Sequence, residues 1–282
     1  MEYKQFNRKL ATPLGKALLV AGMLLGSGGA VQAGEPALLE AVNSDFRREA
    51  NVERDQYRHP EQTLAFFGIT AEQTVIELWP GGGWYTEILA PMLADKGQYI
   101  AAGFNTAPQE DTPGSRYRAK AGKRYLEWLQ AHPKELGKIE LVVLDPPAQV
   151  KLGEDASADA VLTFRNLHNW ASQGQLQTVF QAAFNVLKDG GVFGVVEHRG
   201  KAGNGPDSGY MMQDEMIALA EKVGFTLEAS SEINANAKDS KDYPKGVWTL
   251  PPTLRLGEQD RNTYLKIGES DRMTLKFIKK AN

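Results

Sequence analysis

The sequence predicts an α/β fold: a doubly wound, mostly parallel sheet of seven strands with an antiparallel last strand. Three observations predict it. From residue 74 onward, short apolar runs bounded by turn residues alternate with amphipathic segments, a pattern that joins parallel strands through helical crossovers. The first run, Thr74–Trp79, passes through Gly81, Gly82 and Gly83 into a helical segment, the strand–turn–helix unit of such sheets. The last two runs have no helical pattern between them and are expected to pair antiparallel.

The elements follow in order. A helical lead-in covers 36–70, with apolar residues at helical spacing and a break at Pro60. Strand 74–79 precedes a helix near 84–94, and strand 97–104 precedes a charged helix over 115–131 whose 116–127 stretch reads as a solvated face. Strands 138–145 and 158–166 come next, then a helix over 173–188. That helix is expected to stop at Lys188–Gly191, whose two glycines favour a turn. Strand 191–198, an amphipathic helix from Met211 to Phe225, and strand 226–233 follow. A polar insertion, 234–270, separates the last two strands. Segments 34–282 are read as a single domain.

The chain opens with Lys4, Arg8, Lys9 and Lys16, then the apolar run 17–31, then small residues at Val31 and Ala33. That order is the one of a secretory signal, here 1–33 with a cut after Ala33. The run is shorter than the ~20 residues of a membrane span, so no stable membrane insertion is expected after cleavage. The expected location is periplasmic or secreted, and the alternative is an uncleaved anchor. Formal net charge is −3, and removing a basic leader leaves the rest more acidic, which argues against a nucleic-acid partner. The chain has no cysteine, which excludes disulfides and thiolate metal sites. Its four histidines, His59, His132, His168 and His198, show no ligand spacing, so no metal is expected.

Ligands of such sheets sit at the carboxyl ends of the strands. Gly81 and Gly83 permit positive φ and a close backbone approach, and the next helix offers its amino end to an anion. Spacing alone also suits a dinucleotide, although Thr86 replaces the third small residue of G-x-G-x-x-G. Glu77 shifts the balance: a carboxylate there repels a pyrophosphate and favours a ligand with a cationic amino group.

The run ELWPGGGW, then LDPPAQVKLGEDASADAVLTFRNLHNW, then LKDGGVFGVVEH resembles a class I S-adenosylmethionine-dependent methyltransferase. More closely, the chain resembles a family of exported bacterial methyltransferases, through RHP…LAFFGI, ELWPGGGWYTEILAP, RNLHNW, EHR, KGVWTLPPTLRLG and ESDRMTLKF. The resemblance covers most of the chain after the leader and implies the Rossmann-like methyltransferase fold, with S-adenosylmethionine as cofactor. It puts Glu77, Gly81 and Gly83 on the first cofactor motif and Asp145 near the adenine amino group. It puts Arg165, Asn166 and His168 on the motif facing the transferred methyl. Two positions depart from the class. Trp79 stands where a glycine is usual, and the second strand ends without the acid that holds the ribose, leaving Asn105 to offer an amide oxygen. Such a loss costs roughly 1–3 kcal/mol.

The residues also suggest roles of their own. His168, after the fourth strand, is the first candidate for a base; the plainer alternative is that it ties down its loop. Glu197 and His198 end the fifth strand beside the same crevice and are candidates to share the proton or bind substrate, or else to pair with Arg199. Arg58, in the lead-in, suits a cofactor carboxylate, or caps a helix. Tyr85 bounds the cofactor or joins the core. Tyr243 and Trp248 in the insertion read as a wall on the substrate side.

The functional expectation is an exported S-adenosylmethionine-dependent methyltransferase with a small-molecule acceptor. A second class stays open, a non-catalytic binding protein for a nucleoside or amino-acid-like ligand, since the cofactor is made in the cytosol. A nicotinamide oxidoreductase is disfavoured by Glu77.

Overall fold

The computed structural model describes residues 35–281, so the expected signal segment and its cut after Ala33 lie outside the described residues. No helix among them is long and apolar enough to cross a membrane.

The lead-in is four short helices, α1 (Pro36–Val42), α2 (Glu49–Val52), α3 (Asp55–Arg58) and α4 (Pro60–Phe67). Pro60 opens α4, where its missing N–H costs nothing. β1 (Thr74–Leu78), α5 (Thr86–Leu93), β2 (Gln98–Gly103), α6 (Pro113–Ala131), α7 (Pro133–Leu136) and β3 (Ile139–Val143) follow. Then come β4 (Ala158–Phe164), α8 (Leu167–Ala171), α9 (Leu176–Val186), β5 (Leu187–His198), α10 (Gln213–Val223), β6 (Phe225–Ser231), α11 (Arg261–Ile267) and β7 (Arg272–Lys279).

The seven strands form one sheet in the order β3-β2-β1-β4-β5-β7-β6. β1 to β5 run parallel. β7, last in sequence, lies antiparallel between β5 and β6; the antiparallel pairing is as expected, although the segment before β7 carries the helix α11 that the sequence pattern did not show. Central strands carry apolar side chains on both faces because helices cover both. Ile76, Leu78, Val161, Phe193 and Phe277 face Trp170, Val179 and Phe180 of α8 and α9. Val75, Tyr99, Leu162 and Val196 face Leu38, Leu64 and Ile88 of α1, α4 and α5. The two-residue alternation of a strand therefore sends Glu77, in step with Val75, to the α5 side.

Two expectations change. The segment Lys188–Gly191, expected to stop a helix and turn, lies inside β5. It enters as a bulge: pairing with β4 jumps from Ala158–Leu187 to Ala160–Val192, and Gly190 takes a φ of 79°. The glycines meet a turn-like demand, but within a strand. The solvated reading of α6 also gives way on one side, where the Tyr125 hydroxyl lies 3.0 Å from that of Thr86 and Arg118 stands 5.8 Å over the Trp79 ring.

The turn after β1 depends on glycine at position 83. Its φ is 81°, and a Cβ there would lie 2.7 Å from Cζ3 of Trp128 on α6. Gly83→Ala is expected to lower stability by about 1–3 kcal/mol. Chemical denaturation measures this, and an unchanged midpoint would mean that α6 does not pack on the turn.

Candidate active site

A cavity of about 420 Å³ opens where the glycine turn, the ends of β4 and β5, the lead-in and the insertion meet. Small-molecule sites have this size. Gly81 and Gly82 line it, and nothing lies within 4 Å of where a Cβ on Gly82 would project. Bare backbone therefore faces the cavity.

Glu77 lies at the tip of β1. Its Oε2 accepts hydrogen bonds from the Tyr99 hydroxyl at 2.5 Å and the Thr86 hydroxyl at 3.4 Å. Its Oε1 has no hydrogen-bond donor among the described residues, and the side chain lines the cavity. Burial raises its pKa to about 7, against the opposing pull of Tyr99, Thr86 and Arg165. The group is thus poised to ionise when a cationic partner arrives.

α8 begins directly after β4 and sets His168 into the cavity wall, 6% exposed. Its Nδ1 lies 3.2 Å from Oε1 of Glu197. Glu197, fully buried on β5, also accepts the backbone N–H of His198 at Oε1, 2.8 Å, and that of Leu167 at Oε2, 2.5 Å. Every neighbour donates to this carboxylate, so the imidazole donates through Nδ1 and keeps its lone pair on Nε2. The Asn169 amide, 3.1 Å from Nε2, donates to that lone pair. A buried carboxylate orienting an imidazole whose other nitrogen accepts a proton is the arrangement of a general base. His198 Nδ1 contacts Ser270 Oγ at 2.5 Å. Burial, then His168 and the arginines nearby, hold the His198 pKa well below its ordinary value, so this ring is neutral.

Two of the histidines that show no ligand spacing in the sequence are therefore neighbours in the fold. His168, Glu197 and His198 present ligand-type atoms within 4.8 Å of one another. Both oxygens of Glu197 already take N–H donors, a set built to hold an imidazole rather than an ion.

Arginines dominate the other wall. Arg54 and Arg58 come from the lead-in, Arg165 follows β4, and Arg272 opens β7; all line the cavity. Glu269 is the shared partner of Arg54, Arg58 and Arg272. Arg54 Nε is 2.5 Å from its Oε1, Arg58 Nε is 3.2 Å from its Oε2, and Arg272 also binds Oε2. Arg165 finds a partner among the described residues only for its backbone N–H, bonded to Val196 at 2.7 Å. Its φ of 62° is a left-handed conformation that costs a residue other than glycine about 1 kcal/mol or more. Arg54 Nη2, Arg58 Nη2 and Arg272 Nε are buried without acceptors among the described residues. Burial, then Arg272, lowers the Arg165 pKa to about 10, and burial with Arg165 holds Arg58 well below its ordinary value. Burial alone would raise Glu269, yet Arg272, Arg58, Arg165 and Arg54 keep it well below the carboxylate range.

The remaining expected residues divide. Tyr85 lines the cavity while stacking on Phe164, centroids 3.5 Å apart, so it serves both core and wall. Asn166 lines the cavity and ties β4 to β1 through its amide, 2.9 Å from the Leu78 carbonyl. Trp248 of the insertion sits edge-on to His168 at 5.8 Å, with Val247, Pro251 and Pro252 beside it in the wall. Asn105 and Asp145 do not line this cavity. The Asn105 amide donates to Asp145 at 2.8 Å, because a carboxylate and an amide at adjacent strand ends satisfy each other. Arg54, Glu269 and Arg272 are site residues that the sequence reading missed.

No family model matches the chain, and no curated protein matches it. Among solved structures, an S-adenosylmethionine-dependent methyltransferase from Aquifex aeolicus superposes with a TM-score of 0.53 at 13% identity, over 80% of this chain and 93% of that one. The cyclase SpnF gives 0.53 at 13% identity, over 87% of this chain and 92% of that one. This is the Rossmann-like methyltransferase fold. The methyltransferase fold supports more than one chemistry, so the site has to decide the reaction.

The residues present fit the amino-acid end of S-adenosylmethionine. The uncommitted oxygen of Glu77 suits its amino group, and the Arg58 guanidinium suits its carboxylate. Trp79 leaves the cavity open: its indole N–H bonds the Leu144 carbonyl at 2.8 Å, and the ring packs on Phe104 and Trp170. An adjoining cavity of about 890 Å³, with Phe104, Tyr117, Tyr125 and Trp128 in its wall, shares Trp79, Gly81 and His168 with the first.

Proposed function

We propose that the protein is an S-adenosylmethionine-dependent methyltransferase of a small-molecule acceptor, acting after export. The single observation that carries the reading is one cavity lined by the glycine turn, by Glu77 with an unused oxygen, and by His168 held by Glu197. Export rests on the basic, apolar, small-residue order of 1–33 and the absence of cysteine. Bound S-adenosylmethionine supplies an electrophilic methyl on a sulfonium sulfur. Glu77 and the backbone of Gly81 and Gly82 hold its amino-acid end, and Arg58 its carboxylate. The aromatic wall of the adjoining cavity takes the adenosyl end. Trp248, Pro251 and Pro252 keep water from the acceptor. His168 Nε2 takes the proton that the acceptor loses as it is alkylated, and Glu197 stabilises the resulting imidazolium.

One observation favours a second reading. Asn105 and Asp145 bond each other and leave the ribose without its usual carboxylate. A binding protein for an amino-acid-like ligand needs only the Glu77 and arginine side of the site.

Titration calorimetry with S-adenosylmethionine, S-adenosylhomocysteine and NAD separates the readings. S-adenosylhomocysteine is expected to bind, and Glu77→Gln to weaken it about ten- to a hundredfold. Binding of NAD alone would falsify the methyltransferase reading.

The same titration has a pH signature. Glu77 titrates above the ordinary carboxyl range in the folded chain, so its contribution to stability is full at low pH. That contribution falls as pH rises toward about 7 and a buried charge forms. A cationic ligand prefers the ionised form. Affinity for S-adenosylhomocysteine should therefore rise between about pH 6 and about pH 8, and Glu77→Gln should flatten the rise.

A further inference from the structure

The cavity holds more positive charge than its own residues or a cofactor can answer. Arg54, Arg58 and Arg272 share one carboxylate, Glu269, and the Arg165 guanidinium has no acceptor among the described residues. Glu77 is spoken for by the Tyr99 and Thr86 hydroxyls on one oxygen and faces the glycine turn with the other. His198 is neutral. Buried cations are costly unless paired, and a fold does not keep a surplus of them around a cavity without an anion to receive.

S-adenosylmethionine does not balance the account. It brings one carboxylate but also an ammonium and a sulfonium, so a loaded cavity is more cationic than an empty one. Glu77 offsets the ammonium alone. The remaining charge lies beside His168, where an acceptor has to sit. Arg165 is central: it follows β4 directly, takes a strained backbone conformation and brings to the cavity a guanidinium with no acceptor among the described residues. Next to it, a pocket of about 10 Å³ is bounded by Arg58, Arg272 and Asn234, where Arg58 Nη2, Arg272 Nε and the side-chain amide oxygen Oδ1 of Asn234 lack partners among the described residues. That volume takes about one water, enough to bridge the inner guanidiniums to a larger anion in the main cavity.

We infer that the methyl acceptor is itself an oxyanion, a small molecule whose carboxylate or phosphate seats on the guanidiniums of Arg165 and Arg272 beside His168. The inference rests on the methyltransferase reading and adds the substrate class to it. Arginine suits either oxyanion by bidentate hydrogen bonding. The charge also turns the cycle: methyl transfer removes the sulfonium, the cavity becomes less cationic, and an anionic product is held less tightly than the anionic acceptor was.

The test is calorimetry at low salt on protein loaded with S-adenosylhomocysteine, with inorganic phosphate and malonate as probes. One of them is expected to bind with the nucleoside still in place, more weakly as salt rises. Arg165→Asn, which tolerates positive φ, should weaken that probe about tenfold or more, and Arg165→Lys should restore part of the loss. A preference for phosphate points to a phosphorylated acceptor, and one for malonate to a carboxylic acid. Three results overturn the proposal: neither anion binds the loaded protein, the anion displaces the nucleoside, or Arg165→Asn and Arg165→Lys both leave anion binding unchanged. If S-adenosylhomocysteine itself fails to bind while the anions do, the methyltransferase reading falls and the acceptor role falls with it.

Discussion

Glutamine in place of Glu269 is expected to cost about 3–5 kcal/mol of stability, the largest effect of any conservative change at the site. Glu269 is 2% exposed and is the carboxylate through which Arg54, Arg58 and Arg272 are joined. A neutral amide of the same shape keeps the packing and removes the charge, so the cost reads the electrostatics rather than a cavity. The pH dependence supplies a second check. The arginines hold the folded pKa well below the carboxylate range, so the contribution is fully present above the unfolded value of about 4.3 and is lost as pH falls through the folded one. Chemical denaturation from neutral pH downward should find wild type and Glu269→Gln converging in acid. A gap that stays constant down to about pH 2 would mean that the cost comes from the mismatched amide NH2 rather than from the carboxylate charge.

The second large effect is on turnover. His168→Asn is expected to slow methyl transfer about 10²–10⁴-fold while leaving S-adenosylhomocysteine affinity within a few-fold. Asparagine places an N–H near the position of imidazole Nδ1, so the bond to Glu197 has a replacement and only the accepting nitrogen is lost. Glu197→Gln acts differently. Two backbone N–H groups point at the two carboxylate oxygens, and glutamine answers one with an NH2. That change should cost about 1–3 kcal/mol of stability as well as activity, because a buried donor is left unpaired. Release of S-adenosylhomocysteine in the presence of phosphorylated and carboxylic acceptors, followed by mass spectrometry, measures the rate. An unaltered rate in His168→Asn would leave the histidine as a loop anchor.

The sheet was legible in the sequence because central parallel strands need apolar residues on both faces, and runs such as Val75–Leu78 stand out against any loop. The glycine turn was legible because few residues other than glycine accept the φ values seen at Gly81 and Gly83. His168, Glu197 and His198 could be placed near one crevice, since adjacent parallel strands end at the same edge. Their direction was not visible: that Glu197 lies behind His168, and that His198 turns to Ser270, depends on packing. The arginine cluster was hidden by distance. Arg54 and Glu269 lie 215 positions apart, and a charged residue in a helical lead-in reads as surface. The one available signal was the charged stretch Glu269–Arg272 immediately before an apolar strand, a poor place for charges unless something buried pairs with them. Asn105 and Asp145 were assigned from what a class places at strand ends, but two polar groups of matching chemistry at neighbouring tips found each other. The lead-in broke into short helices because its apolar stretches are too brief to support one long one.

The place of β7 carries a consequence for biosynthesis. The final strand fills the slot between two earlier ones, and Glu269 and Arg272 flank its start. A nascent chain that stops short of residue 272 leaves β5 and β6 without their common neighbour and the guanidinium cage without its hub. The arginine side of the cavity therefore depends on the last strand of the sheet, and without it β5 and β6 would present unpaired edges.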